Sequence, residues 1–142
     1  MHRTAEEAKE ETLKMFDVYK DFQVNYLALP VITGKKTEKE KFAGADTTWT
    51  IEAMMKDGRA LQAATSHYLG QNFSKMFDVS FKDQSNKLVN VYQTSWGLST
   101  RSIGAIIMGH GDNRGIVMPP RIAPIKVILI EVLANKNEKV KE

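Results

Sequence analysis

The 142-residue chain contains no cysteine. That excludes disulfide staples, thiolate metal sites and cysteine nucleophiles, and it fits a reducing compartment. Histidine is scarce too, with three in the chain, which argues against a metal site built from imidazoles. The start, Met1-His2-Arg3-Thr4 followed by Ala5-Glu6-Glu7, lacks the apolar segment of a secretory signal, and no apolar run approaches the roughly 18 residues of a membrane span. The expectation is a cytoplasmic protein with no membrane association. A strong excess of one charge is also missing: the formal net charge is +3, with lysines scattered among glutamates, so charge alone is a weak argument for a polyanionic partner. Internal repeats and low-complexity stretches are absent, and the length suits one domain with a real core.

What is present reads as alternating helix and strand. Thr4-x-x-Glu7 is a capping box, and Ala5, Ala8, Met15, Tyr19, Phe22 and Tyr26 recur at helical spacing, so a helix is predicted to about Leu27. Leu29-Pro30-Val31-Ile32 reads as a short strand, and Thr37-x-x-Glu40 as a second capping box for a turn of helix through Lys41. From Asp46 the period becomes two, with Trp49, Ile51, Ala53 and Met55 on one face and Thr48, Thr50 and Glu52 on the other. Asp57-Gly58 suits a hairpin turn that returns Arg59 to Ala64 antiparallel. Tyr68 to Phe77 has helical spacing. Val79 to Phe81 and Leu88 to Thr94 suggest a hairpin, Ser102 to Met108 a buried helix, residues 110–115 a turn, and Ile125 to Leu133 a β-branched strand before a frayed, charged tail from Asn135 to Glu142. The fold class is α+β, a mainly antiparallel sheet flanked by helices.

Two constellations carry chemical potential. Thr65-Ser66-His67 falls where a strand is expected to give way to a helix, so hydroxyls and an imidazole would face a pocket beside free helix N–H groups. A plain N-cap and a core histidine with its ring satisfied by a carbonyl explain the same residues. In "YQTSWGLSTR", Tyr92 to Arg101, a strand is expected to end at Thr94-Ser95, Trp96-Gly97 lets the backbone pass close to something flat, and Ser99-Thr100-Arg101 opens a helix. Arg101 there would reach a phosphate as a bidentate donor, or simply be a surface arginine. Lys35, Lys36, Lys39 and Lys41, interleaved with acids, read mainly as a solvated face, one edge of which suits a phosphodiester backbone.

Four blocks go beyond local patterns. "GKKTEKEKFAGA" (34–45), "GRALQAATSHYLGQNFSKMF" (58–77), "VYQTSWGLSTRSIGAIIMGHGD" (91–112) and "GIVMPPRIAPIKVILI" (115–130) closely resemble, in this order, the catalytic core of prolyl-tRNA synthetase, a class II aminoacyl-tRNA synthetase. The resemblance covers nearly everything from His2 to Ile130, and it is to the archaeal and eukaryotic type, since there is no room for the editing domain that interrupts bacterial-type enzymes. It implies that Gln62 and Thr65 hold the adenosine part of ATP, that Ser99 and Arg101 belong to the third class II motif, and that Arg101 binds the phosphates and supplies the catalytic cation. It further implies a proline pocket with Phe42 and Trp96 as aromatic walls, His67 lining it, and Ser95 and Gly97 beside them. A small apolar substrate suits a tight aromatic slot of this kind.

The implied reaction joins L-proline and ATP into prolyl-adenylate, with Mg2+ bound on the phosphates, and then esterifies tRNA(Pro); the full-length enzyme would be a homodimer. Matched to the family, residues 1–133 correspond to the catalytic domain after its second motif, and residues 134–142 to the start of a linker or anticodon-binding domain. A piece so bounded lacks the family's first and second motifs and is expected not to charge tRNA alone. A non-catalytic paralogue that binds a nucleotide or RNA is the alternative reading.

Overall fold

The computed structural model describes residues 1–130 and Val132. Helix α1 spans Ala5–Asp21, with Thr4 as N-cap: its hydroxyl accepts the Glu7 N–H at 3.2 Å, while the Glu7 carboxylate reaches back to the Arg3 N–H at 3.0 Å. The helix then widens into one π-helical turn, Phe22–Tyr26, and closes where Ala28 takes φ 52°. Four strands follow in one antiparallel sheet ordered β1-β2-β3-β6: β1 Val31–Lys35, β2 Thr47–Met54, β3 Ala60–Gly70 and β6 Gln93–Leu98. Between β3 and β6 lie the short helix α2, Asn72–Met76, and a separate hairpin of β4, Ser80–Lys82, with β5, Leu88–Asn90. Helix α3, Arg101–His110, follows β6 directly.

The period-two reading of β2 holds. Ile51 and Ala53 are fully buried, and Trp49 packs its ring 5.6 Å from that of Phe16 on α1. One core cluster gathers Phe16, Ile51 and Ala64 under α1; another gathers Leu27, Leu29, Ala53, Met55, Ala63, Ala105 and Ile106 between the sheet and α3. Burying each leucine contributes on the order of 1.5–3 kcal/mol. Helix α3 is tied to the π-helical turn by the fully buried Gln23, whose amide donates to Ser102 Oγ at 3.3 Å.

Several expected boundaries move. Thr37 and Glu40 make a hydrogen-bonded turn, with no helix after it. The strand holding Thr65-Ser66-His67 continues to Gly70, and Thr94-Ser95 lie inside a strand that runs from Gln93 to Leu98. The predicted 68–77 helix is therefore confined to Asn72–Met76, because Tyr68 is still paired, with Thr94. Residues 125–130 form no strand, since no described strand runs alongside to accept their hydrogen bonds; Leu133 and the 134–142 tail lie outside the described residues.

Candidate active site

The two faces of the sheet differ in chemistry, and the register shows which residue belongs to which. Residues directly opposite in an antiparallel pair point to the same side. Ser66 faces α1, donating to the Thr12 carbonyl at 2.7 Å, and is fully buried. Thr65 and His67 therefore face the other way, opposite Gly97 and Ser95 on β6 and opposite Thr50 and Thr48 on β2. This is strand alternation, so Thr65 and Ser66 are not helix caps, and the free helix N–H groups expected beside them are not there.

Gln62 joins the same face by a β-bulge. Ile51 pairs with Ala64 but Glu52 pairs with Gln62, so Ala63 is an extra residue on β3. Both Ala63 and Ala64 turn into the core, and Gln62 is thrown onto the side of Thr65 and His67. Gln62, Thr65, Gly97, Ser99 and Arg101 then line one open pocket of about 270 Å³. At its rim Ser99 Oγ accepts the Arg101 N–H at 3.2 Å, which begins α3, and Arg101 Nη1 donates to the Gln62 carbonyl at 3.1 Å. The remaining guanidinium N–H groups have no protein acceptor among the described residues, which leaves a preset cation for an anionic ligand.

Beside this polar half lies an aromatic half. The Phe42 ring sits 5.5 Å from the His67 ring and stacks at 6.0 Å on Phe73, which stacks in turn on Phe77. The segment carrying Phe42 is pinned from two sides: Asn72 Nδ2 donates to the Gly44 carbonyl at 3.2 Å and to Asp46 Oδ1 at 2.9 Å, and Phe42 N–H donates to Thr48 Oγ1 at 3.3 Å. A Cβ on Gly44 would run into the Phe73 ring, so glycine is what lets the segment close on that stack. His67 Nδ1 lies 2.9 Å from Thr48 Oγ1. Burial, and then the positive charge of Lys36, lower the His67 pKa, so the ring is neutral at pH 7. The Thr48 hydroxyl accepts from Phe42 and also engages Nδ1, which leaves Nε2 as the ring nitrogen free to meet a ligand.

The structure thus brings together Gln62, Thr65, Ser99 and Arg101 as one group, and Phe42, His67 and Ser95 as another, with Gly97 between them. It does not bring Trp96 to them. Trp96 pairs with Ser66 and so lies on the α1 face, across the sheet from Phe42 and His67. A strand end at Ser95 left the direction of the next side chain open; a continuing strand fixes it by alternation. A Cβ at Gly97 would meet no protein atom within 4 Å, so no neighbour among the described residues requires glycine there. Two further site residues lie outside both constellations, Thr48 and Lys36. Thr48 was legible on the polar face of β2, whereas the half-buried Lys36 was hidden in a run of charges.

Comparison with known proteins bears on what this face does. Residues 1–110 match the family model described as the tRNA synthetase class II core domain (G, H, P, S and T). Among curated proteins, a "Proline--tRNA ligase" of Mycoplasma mobile is 66% identical over 139 residues, covering 98% of this chain and 29% of that protein. One of the same name from Mycoplasmopsis synoviae is 62% identical over 139 residues, with the same coverage. Among solved structures, prolyl-tRNA synthetase of Cryptosporidium parvum complexed with L-proline and AMP superposes with a TM-score of 0.81 at 51% identity, over 87% of this chain and 27% of that one. The chain spans less than a third of the length of these relatives.

Proposed function

The chain belongs to the class II tRNA synthetase core family, and from that premise we propose that its polar sheet face is the amino-acid and ATP wall of a proline–tRNA ligase. The observation that carries this reading is the division of one face into two adjoining halves. The aromatic half, Phe42 and His67 with Ser95, suits a small apolar ring; the polar half, Gln62, Thr65, Ser99 and Arg101, suits a nucleotide. The solved relative that holds both L-proline and AMP supports the pairing of these two ligand classes.

The proline carboxylate oxygen attacks the α-phosphorus of ATP, the bond to the bridging oxygen breaks, and pyrophosphate leaves with its electron pair. A ribose hydroxyl of tRNA(Pro) then attacks the prolyl carbonyl and AMP departs. The chain contributes position and charge. Phe42 and neutral His67 hold the ring, Thr65 and Gln62 offer polar contacts to the nucleotide, and the Arg101 guanidinium opposes the negative charge that develops on the phosphates. Mg2+ bound with ATP would neutralise charge on the phosphates. Homodimer assembly and a cytoplasmic setting go with this reading, and no helix among the described residues is long and apolar enough to cross a membrane.

Backbone amide NMR of the 142-residue chain tests the reading. L-proline is expected to shift Phe42, His67 and Ser95 saturably, with D-proline and L-alanine much weaker. ATP is expected to shift Gln62, Thr65 and Arg101, and Arg101→Ala to weaken it at least tenfold. Shifts confined to the α1 face, or no saturable shift with either ligand, would overturn it.

A further inference from the structure

The lysines of the 35–41 segment separate once folded. Lys35 pairs with Trp49 on the α1 face, and Lys41 is engaged by Glu38 at 2.8 Å. Lys36 is different. Its N–H donates to the Thr48 carbonyl, which carries it past the end of β1 onto the site face, half-buried and without an ion-pair partner among the described residues. Its ammonium donates to Gln62 Oε1 at 2.8 Å. Gln62 is therefore held by a cation at each of its oxygens: Arg101 on the main-chain carbonyl and Lys36 on the amide.

The chemistry of the amide makes this pairing directional. An ammonium is a donor only, so it can face the oxygen end of the carboxamide and never the nitrogen end. With Oε1 fixed, Nε2 and its two N–H groups point away from Lys36, and they have no protein acceptor among the described residues. Without Lys36 the amide would be free to turn over, because oxygen and nitrogen ends have nearly the same shape, and half of its orientations would present an acceptor where a donor is needed. An ammonium–carbonyl hydrogen bond in a half-buried setting is strong enough to suppress the turned-over form about tenfold or more. The nearness of Lys36 to the His67 ring, whose protonation it disfavours, places the same ammonium at the seam between the two halves of the site.

We propose that Lys36 is a positioning residue of the nucleotide pocket: by holding Gln62 Oε1 it turns the Gln62 amide N–H groups toward phosphate oxygens of the bound nucleotide. The proposal rests on the ATP reading given above and narrows it, because it assigns Gln62 to an acceptor on the phosphates, whereas the resemblance alone assigns it to adenosine.

Calorimetric titration of the 142-residue chain with ATP and with adenosine tests it, using Lys36→Met, Lys36→Arg, Gln62→Leu and the Lys36→Met/Gln62→Leu double variant. Lys36→Met keeps the aliphatic stem and is expected to bind ATP about tenfold more weakly, with adenosine affinity within about twofold of the parent and Lys36→Arg recovering most of the loss. The double variant is expected to bind ATP no more weakly than Gln62→Leu, since Lys36 acts through Gln62. Unchanged ATP binding by Lys36→Met, equal loss of ATP and adenosine, or additive losses in the double variant would overturn the role of Lys36 and leave the ATP site standing. A parent chain that binds neither ATP nor adenosine would remove the nucleotide reading itself. Should Lys36→Met fold poorly, Lys36→Leu, which also lacks a donor, gives the same comparison, and its ATP-to-adenosine ratio decides in the same way.

Discussion

Thr48 Oγ1 stands 2.9 Å from His67 Nδ1 and accepts the Phe42 N–H at 3.3 Å, so one hydroxyl on β2 positions both an imidazole on β3 and the aromatic segment above it. Thr48 is 1% exposed, and its loss leaves two polar groups without a partner. Thr48→Val is expected to lower stability by about 1–3 kcal/mol in denaturant unfolding, and Thr48→Ser to restore most of it. Equal midpoints for the parent and Thr48→Val would show that the hydroxyl holds nothing.

The lowered pKa of His67 carries a sign. Burial is the larger cause and the Lys36 charge the second, so the unfolded chain takes up the proton at a higher pH than the folded one. The contribution is complete above about pH 6.5, the ordinary histidine value, and is lost as pH falls through that value toward the folded pKa. The His67 ring proton signals are expected to titrate below pH 6.5, and to move upward in Lys36→Met. Stability is expected to fall between pH 7 and 5 more steeply in the parent than in His67→Gln.

Trp96 and Phe42 should behave oppositely. The family resemblance makes both of them walls of the proline pocket, but strand alternation puts Trp96 with Ser66 on the α1 face. Phe42→Ala is expected to weaken L-proline binding at least tenfold, and Trp96→Ala to leave it within about twofold while costing stability. Comparable losses of proline binding in the two variants would return Trp96 to the pocket.

Two glycines give a similar contrast. A Cβ at position 44 collides with the Phe73 ring, whereas one at position 97 meets nothing within 4 Å. Gly44→Ala is expected to destabilise by about 1–3 kcal/mol and to disturb the Phe42–Phe73 stack. Gly97→Ala is expected to leave the unfolding midpoint unchanged yet to weaken ATP, because its methyl group points from β6 into the same pocket as Thr65. Thermal unfolding and ATP titration of both variants check the pair.

How much of this was legible before folding depends on the kind of signal. The first helix, its cap and β2 follow from side-chain period and hydrogen-bond chemistry, which are local. Phe42 is marked only by the resemblance, whereas Arg101 stands out already at the opening of its helix, with a phosphate and a surface reading both open; their grouping follows the fold. Thr65-Ser66-His67 reads as a junction in sequence because hydroxyls and small residues favour caps as readily as strand faces; the buried bond from Ser66 to Thr12, 54 residues away, decides between them, and no window of sequence contains it. Lys36 was hidden for a related reason. Its neighbours in sequence are charged and solvated, and only the partner 26 residues on distinguishes it.

The extra residue at Ala63 has a consequence for how length changes are tolerated. Two alanines separate Gln62 from Thr65, and deleting Ala63 would leave Gln62, Thr65, Gly97, Ser99 and Arg101 all present in the sequence. Pairing on both sides of the deletion would then be regular: Ala64 stays opposite Ile51 in the core and Gln62 opposite Glu52 on the ligand side, and what is lost is the local bend that the extra residue puts into β3. A one-codon loss at Ala63 therefore subtracts curvature and leaves inside and outside where they are, whereas the same loss at Ser66, where the strand alternates without an extra residue, would turn one end of the strand over.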